Sequence, residues 1–414
     1  MIAWIKIASR NLVKNRRRSI LTIIAIALGY AAVGIFGGFT SYMYNGNRQV
    51  AIFGRCQGHL TVFKKGFLEK GELDPSRYLL RPREISMISA ICRKNPHVIM
   101  VSPQLRISGL VTNGRISTIF IAQGIRPSDV DRFLKHSTLK KLSEFEGHKL
   151  SDDKVYGVAM AHGLARLLDL RVGDWAVVLA TTVDGQMNAL DLQILQLFNT
   201  DSQVLNDKIM RVPLRFAQSL YDTQGVDRIA ILLDRTRFTE KVRDQLTSEF
   251  ARENLDVEVR SWDELSLWYR KVKDMFDVIF LFLFIIVFII VVMSVVNTMG
   301  MSVLERTREI GTLRALGLKR RGVLLLFGIE SILLGICGAV LGIILTFTGW
   351  LVIHLTKPTW IPPGITTRIP LRLEFSFLQL AYTFIFLVAL CLIASLVPAR
   401  RAARQSVVDA LGHV

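Results

Sequence analysis

The chain has 414 residues, of which 51% are apolar and 21% charged, and its formal net charge is +18. Its mean hydropathy of +0.37 is too high for an ordinary soluble protein, whereas its charged fraction is too large for a protein that lies entirely in a membrane. The basic residues collect beside long apolar segments. The charge therefore indicates membrane topology and anionic lipid, and we expect no nucleic-acid partner.

The first segment, residues 1–18, is predicted to be a cytoplasmic amphipathic elbow helix in the membrane interface. Ile5, Ala8 and Leu12 share one helical face, while Lys6 and Arg10 lie on others.

Four segments are long enough to cross a bilayer, which requires about 20 apolar residues. They are residues 19–41, 276–303, 323–356 and 375–398. The third span carries the acid Glu330, and acids within a membrane are candidates for a functional role. We favour a structural role instead, in which Glu330 reaches back to Arg320 or Arg321. Small-residue pairs at Gly34 and Gly38 and at Gly338 and Gly342 permit close helix packing, either within one subunit or in a dimer.

Residues 42–275, between the first two spans, are predicted to form a large extracytoplasmic mixed α+β domain, possibly of two subdomains divided near residues 150–155. The predicted strands are His59–Phe63, Ile116–Ala122, Trp175–Thr181, Leu192–Leu197 and Arg228–Leu233. The predicted helices are Glu84–Asn95, Gly163–Leu168, Arg215–Tyr221 and Arg237–Glu253. Residues 42–53 and 262–275 are expected to form stalk helices at its two ends. The fold class is thus an α-helical membrane protein with four transmembrane helices and this extracytoplasmic domain.

The orientation follows from three basic segments, which lie before the first span, between the second and third, and after the fourth. Together they hold fifteen basic and three acidic residues. Because basic segments remain in the cytoplasm, we expect both termini, residues 304–322 and the tail at 399–414 to be cytoplasmic. Residues 357–374 then form a short extracytoplasmic loop.

Catalytic and metal-binding motifs are missing from the sequence. There is no Gly-x4-Gly-Lys-Ser/Thr loop, so no cofactor is expected to bind directly, and if ATP powers this protein, ATP and Mg are bound by another chain. The seven histidines have no metal-ligand spacing, and we predict a non-catalytic subunit. Cys56 and Cys92 lie outside the spans, and their spacing leaves open whether they form a disulfide.

Residues 304–322 contain the most informative motif, Glu305-Arg-Thr-Arg-Glu-Ile-Gly-Thr-Leu-Arg-Ala-Leu-Gly317. It is typical of a short amphipathic helix that ends in a left-handed glycine cap. Gly311 costs such a helix about 1 kcal/mol relative to alanine, which suggests that another backbone approaches closely. The residues of this motif that we predict to contact a partner are Glu305, Arg306, Arg308, Glu309, Ile310, Gly311, Leu313, Arg314, Leu316 and Gly317; an ATPase as that partner is implied by the family resemblance given below.

A second motif follows the fourth span, with Pro398, Ala399, Arg400 and Arg401 at its start and Val407 to Leu411 near its end. The two motifs resemble the coupling loop and the C-terminal ending of FtsX/MacB-like, or type VII, ABC transporter permeases. Val407 stands where that family often has proline. Residues 157–179 also resemble a module of the family's outer domains.

This resemblance implies mechanotransmission, in which closure of an ATPase dimer moves the coupling helices and thereby the outer domains. It implies a cytoplasmic ABC ATPase, a second permease subunit in a homodimer or heterodimer, and a bacterial inner membrane. The implied activity is lipoprotein release, as in LolC/LolE-like subunits. Two alternatives are export of a drug, peptide or toxin in a MacB-like tripartite system and FtsX-like signalling to cell-wall hydrolases. A lipoprotein carrier would accompany lipoprotein release, and a periplasmic adaptor would accompany export.

Overall fold

The computed structural model describes residues 2–71, 73–139, 144–200, 203–360 and 368–404. The chain divides into two compact units. The membrane unit comprises residues 1–44, 272–359 and 370–414, and the sheet unit comprises residues 45–271 and 360–369. The borders that the sequence predicts, at residues 42 and 275, lie within four residues of this division.

The helices are α1 (Ile2–Lys14), α2 (Arg16–Gln49), α3 (Phe67–Lys70), α4 (Pro75–Tyr78), α5 (Pro82–Lys94), α6 (Pro127–Lys135), α7 (His162–Leu167), α8 (Gln203–Asn206), α9 (Leu214–Leu220), α10 (Thr239–Arg252), α11 (Trp262–Leu265), α12 (Leu267–Glu305), α13 (Thr307–Ala315), α14 (Arg320–Thr356) and α15 (Phe377–Arg404). A π-helical turn, Val50–Gly54, follows α2, and a 3-10 turn, Thr236–Phe238, precedes α10.

The strands are β1 (Leu60–Lys64), β2 (Val98–Thr112), β3 (Ser117–Gly124), β4 (Phe145–Gly147), β5 (Gly157–Ala161), β6 (Trp175–Thr181), β7 (Met187–Phe198), β8 (Ile209–Val212), β9 (Arg228–Leu233), β10 (Val257–Ser261), β11 (Thr359–Trp360) and β12 (Ile369–Pro370). All five strands and all four helices that the sequence predicts in the outer domain are confirmed. Strands β2, β4, β5, β8 and β10 of the sheet unit were not predicted.

Among the described residues, four helices are long and apolar enough to cross a membrane, namely α2 with the π turn, α12, α14 and α15. The first three each contain one predicted span and extend beyond it, whereas α15 begins at Phe377, two residues after the predicted start of the fourth span, and extends beyond its end. The predicted first stalk is helical, since α2 and the π turn continue to Gly54. The predicted second stalk is interrupted, because Ser266 has a non-helical ψ of 76° between α11 and α12.

The glycine pairs of the membrane unit pack helices of this chain against each other. A Cβ added to Gly34 would lie 3.0 Å from Thr346, and one added to Gly338 would lie 2.6 Å from Ile26. These contacts join α2 to α14, so packing within the subunit accounts for both pairs. The hydroxyl of Tyr30 on α2 also donates a hydrogen bond to the Leu380 carbonyl on α15, at 2.9 Å.

The elbow helix α1 packs on α14. Ala8 is fully buried and Leu12 is half-buried. Ile5, which the sequence places on the same face, remains 45% exposed on this chain. The face of α1 that packs on α14 therefore contains Ala8, Asn11 and Leu12. The polar Asn11 is not indicated by the apolar pattern of the sequence.

The sheet unit is built on a split βαβ arrangement. Strands β1 and β2 flank β9, and β10 lies on the other side of β1, giving the order β10-β1-β9-β2 with antiparallel neighbours. The crossover helices α5 and α10 contact each other and pack on β2 and β10, respectively. This is the ferredoxin-like topology, with a long insertion between its second and third strands.

The insertion continues the same sheet through β3, β8, β5, β7 and β4, while β6 pairs with β2 and β7. The 15-residue β2 makes this possible, because its first half pairs with β9 and its second half with β3 and β6. The predicted subdomain boundary near residues 150–155 is wrong. The pairs β3–β8 and β4–β7 join strands from both sides of it into one unit.

Cys56 and Cys92 are buried free thiols in two different apolar clusters of the sheet unit. Burial raises the pKa of Cys56 to about 11 and that of Cys92 to about 12. Both thiols are therefore protonated near neutral pH and act as small apolar side chains.

Candidate coupling site

The predicted coupling helix is α13, which is shorter than its motif and separated from α12 by Arg306. Its predicted glycine cap is confirmed, since Gly317 has a φ of +100°. The amide of Leu318 donates to the Leu313 carbonyl at 3.0 Å, and that of Gly317 to the Arg314 carbonyl at 3.1 Å. These two bonds form a Schellman motif, which fixes the direction in which the chain leaves α13.

The apolar residues of α13 do not share one environment. Ile310 is only 3% exposed and belongs to the apolar core of the membrane unit, together with Val323 and Phe327. Leu313 is 40% exposed and Leu316 is 80% exposed. Of the three apolar residues that the motif predicts as partner contacts, Ile310 therefore packs inside this chain and two lie at its surface.

Arg306 is buried at the junction of α12 and α13, with 6% of its surface exposed. Its Nη1 donates to Glu330 Oε1 at 2.9 Å, and its Nε donates to Glu309 Oε2 at 3.0 Å. The guanidinium carbon also lies 6.0 Å from the centre of the Phe327 ring. Arg306 thus connects α13 to α14 and is not available to an outside partner, although the motif groups it with the docking residues.

Glu330 lies on α14, is 1% exposed and receives a second hydrogen bond, from Asn11 Nδ2 on α1 at 2.6 Å. The expected contact with Arg320 or Arg321 is wrong. Those arginines are nine and ten residues away on the same helix, or about 15 Å at 1.5 Å per residue. We call Asn11, Arg306 and Glu330 the buried polar cluster.

A rim of exposed ion pairs joins the same elements. Lys14 Nζ lies 3.3 Å from Glu309 Oε1, and both side chains are more than half exposed. Glu305 pairs with Arg18 at 2.5 Å and accepts a hydrogen bond from Asn15 at 3.2 Å. The hydrogen bonds from Arg306 and then from Lys14 hold the pKa of Glu309 below its usual value.

The C-terminal motif forms the last turns of α15. Pro398 and Ala399 are buried, whereas Arg400 and Arg401 are exposed. Ala399, Ala402 and Ala403 lie on one helical face and belong to the apolar core of the membrane unit. The motif therefore supplies small residues for close packing as well as exposed basic charge. Residues 407–411 lie outside the described residues.

The geometry makes α13 one body with its supports. A helix that carries exposed Leu313 and Leu316 is tied to α14 through Arg306 and Glu330, and to α1 through Asn11. Buried charge-assisted hydrogen bonds are among the stronger polar contacts in proteins. These hydrogen bonds therefore connect the start of α13 to both α14 and α1. Among the described residues, no group of three or more His, Cys, Asp or Glu side chains could hold a metal ion.

Comparison with known proteins agrees with this architecture. Residues 281–407 match the family model of the FtsX-like permease C-terminal domain. The lipoprotein-releasing system transmembrane protein LolE of Haemophilus influenzae is 23% identical over 343 residues, which cover 75% of this chain and 77% of LolE. These matches all fit the FtsX/MacB-like family of ABC transporter permeases.

Two further similarities concern single parts of the chain. The macrolide export ATP-binding/permease protein MacB 1 of Yersinia pestis bv. Antiqua is 34% identical over 121 residues, which cover 29% of this chain and 17% of that protein. The crystal structure of the periplasmic region of MacB from Actinobacillus actinomycetemcomitans is similar with a TM-score of 0.35 and 12% identity. That match covers 50% of this chain and 90% of the MacB region.

Proposed function

We propose that this ABC transporter permease works by mechanotransmission in a bacterial inner membrane, with both termini and α13 in the cytoplasm. A separate ATPase would dock on α13 and bind ATP and Mg, and a second permease subunit would complete the assembly. The observation that carries this proposal is the division of α13 into an exposed apolar face, Leu313 and Leu316, and a face anchored by Arg306. The exposed apolar face would form the core of an interface with the ATPase. The anchored face would transmit force to the rest of the permease.

The proposed work of the transporter is lipoprotein release from the inner membrane. LolE supports this choice because its similarity extends over three quarters of the chain and therefore includes much of the sheet unit. Export in a MacB-like system is the alternative, favoured by the higher identity of 34% over a stretch of 121 residues. That stretch is 29% of this chain, so it supports a function of the whole chain less broadly than the LolE match does.

Docking is tested with the variant Leu316→Asp in the full chain, co-expressed with its ATPase. A carboxylate at this 80% exposed position leaves the core of the membrane unit intact but opposes burial in an apolar interface. We expect normal membrane insertion, loss of ATPase co-purification and loss of function in cells. Leu73→Asp, at an 86% exposed position of the sheet unit, is the matched control and should behave as the unaltered protein.

If the Leu316→Asp protein retains bound ATPase, ATP turnover and function, α13 is not the docking element. Leu316→Asp is a sharper test than substitution of Gly311, because Gly311 is buried and a large side chain there would disturb this chain itself. The substrate class is tested separately, by crosslinking in cells followed by mass spectrometry. Co-purifying acylated lipoproteins and a lipoprotein carrier would support release, whereas a periplasmic adaptor would support export.

A further inference from the structure

A cavity of about 350 Å³ opens in the sheet unit beside β2, β3 and β8. Its volume falls within the range of small-ligand pockets, about 300–1,000 Å³. Arginines dominate its charged lining, namely Arg55, Arg106, Arg211 and Arg228, against the single acid Glu144 among the described residues that line it. This excess of positive charge lies far along the chain from the coupling motif and plays no part in the proposed docking.

The sheet arranges the polar lining in a row. In the strand register, Arg106 of β2 is opposite Gln123 of β3, and Gln123 is opposite Arg211 of β8. Residues that are directly opposite in neighbouring strands project from the same face of a sheet. The two arginines therefore stand on one face, separated by an amide and by two strand spacings, or about 10 Å.

An apolar row lies beside the polar one. Ile121 of β3 is opposite Ile209 of β8, two residues before Gln123 and Arg211, respectively, and both isoleucines line the cavity. Because side chains on one face of a strand repeat every two residues, the two rows are about 7 Å apart. Phe198 adds a further apolar wall. The cavity thus places a row of cationic donors next to a row of hydrocarbon.

Arg211 is held in position by neutral groups. It is half-buried, one Nη donates to the Gly54 carbonyl at 2.6 Å, and the guanidinium lies 4.8 Å from the centre of the Phe198 ring. Among the described residues, no carboxylate lies within 4.0 Å of it, whereas Arg228 is paired with Asp227 at 2.6 Å. Arg211 therefore keeps donors and positive charge that a bound anion can use.

One oxygen in the cavity wall also receives no hydrogen bond. The side-chain Oε1 of Gln57 is buried and has no hydrogen-bond partner among the described residues. Buried polar atoms without partners are uncommon in folded proteins, and this oxygen needs a hydrogen-bond donor, which a monoprotonated phosphate carries and an ionised carboxylate does not. Gln57 lines the same cavity as the arginine row.

We propose that this cavity binds a small amphiphilic anion, an organic phosphate or carboxylate. Its acid group meets Arg106 and Arg211, and its apolar part lies on Ile121, Ile209 and Phe198. Charge-assisted hydrogen bonds from guanidinium suit both acid groups, and the adjacent hydrocarbon selects against inorganic anions. The site is independent of the proposed coupling function.

The test is calorimetric titration of the full chain in nanodiscs made of uncharged phosphatidylcholine. The probes are hexyl phosphate, hexanoate, inorganic phosphate and hexanol. We expect saturable binding of hexyl phosphate or hexanoate at one per chain, with inorganic phosphate and hexanol at least tenfold weaker. The Arg211→Gln and Arg106→Gln variants should each bind at least tenfold more weakly than the unaltered protein. Arg215→Gln, which changes an exposed arginine of α9 outside the cavity, is the matched control and should bind unchanged.

Arg106 is exposed, so its variant keeps the test valid if Arg211→Gln unfolds the sheet unit. Absence of saturable binding for both organic acids would overturn the proposal, as would equal binding by both cavity variants and the unaltered protein. Inorganic phosphate binding as tightly as hexyl phosphate would overturn the amphiphile assignment. A result against this site would leave the docking test on Leu316 unaffected.

Discussion

Among the described residues, each unit of the chain buries one arginine–carboxylate pair, and the two pairs differ in what they join. In the sheet unit, Arg228 and Asp227 are neighbours in sequence, with side chains 12% and 4% exposed. In the membrane unit, Arg306, at the junction of α12 and α13, and Glu330 of α14 are 24 residues apart, with side chains 7% and 2% exposed. The first pair positions one cation at a cavity wall. The second pair, together with Asn11, joins α1, α14 and the start of α13, and it therefore stabilises the packing of elements that are distant in sequence.

The largest effect is expected for Glu330→Ala, which leaves Arg306 buried without its main counter-charge. Removing one partner of a buried ion pair typically costs about 3–5 kcal/mol. We expect a clear drop in the thermal unfolding temperature of the full chain in detergent, together with loss of coupled ATP turnover.

The double variant Arg306→Met with Glu330→Met is the control, because apolar replacement of both partners is often nearly neutral for stability. It should unfold close to the temperature of the unaltered protein. A Glu330→Ala protein as stable as the double variant would show that the pair does not hold the site together.

A smaller effect is expected for Asp227→Ala. Arg228 lines the cavity, where water or a ligand can solvate its charge, and its guanidinium also lies 5.3 Å from the centre of the Phe63 ring. Loss of the pair should cost about 1–3 kcal/mol, the range for a buried hydrogen-bonding group left unpaired. Asp184→Ala, at an exposed position, is the control for thermal unfolding. If Asp227→Ala lowers the free energy of unfolding as much as Glu330→Ala does, the two ion pairs do not differ in their contribution to stability, and this contrast is wrong.

The smallest effect is expected at the rim, for Lys14→Ala. Its pair with Glu309 is exposed, and such pairs contribute about 0–1 kcal/mol. Unfolding at high and low salt concentration measures this contribution, which should shrink as salt increases. A large, salt-independent loss of stability would assign Lys14 to the buried polar cluster.

The pH dependence of the same rim can be tested with Glu309→Gln. Since the pKa of folded Glu309 lies below its usual value of 4.5, the ionised form stabilises the fold above that pH. This stability is lost as the pH falls through the folded pKa. The unfolding temperatures of Glu309→Gln and the unaltered protein should therefore differ at pH 7 and converge well below pH 4.5. A difference that persists in acid would contradict this assignment.

Much of the architecture could be predicted from local pattern. The spans follow from apolar length, and the end of α13 follows from Gly317, which adopts the positive φ that glycine permits. Trp175–Thr181 and Arg228–Leu233 were predicted at their observed bounds, since both are rich in strand-forming residues.

The remaining features depend on distant contacts or unfavourable local signals. β2 contains Pro103 and Gly109, which lower its strand propensity, and β5 is Gly157-Val-Ala-Met-Ala161, which is poor in strand formers. The buried polar cluster joins Asn11 to Glu330 across 319 residues, and no spacing in the sequence indicates that pairing. The burial of Ile310 likewise follows from tertiary packing, because a short amphipathic helix does not specify which neighbour covers its apolar face.

The most direct test of the account places a photoactivatable benzophenone amino acid at Leu316 or at Ile310 of the full chain in living cells. After irradiation, the crosslinked partners are identified by mass spectrometry. The account predicts a crosslink from position 316 to a cytoplasmic ABC ATPase, and crosslinks from position 310 only within this chain. If position 316 captures no ATPase while the transporter is active in the same cells, the exposed face of α13 is not where ATP hydrolysis is coupled to this permease.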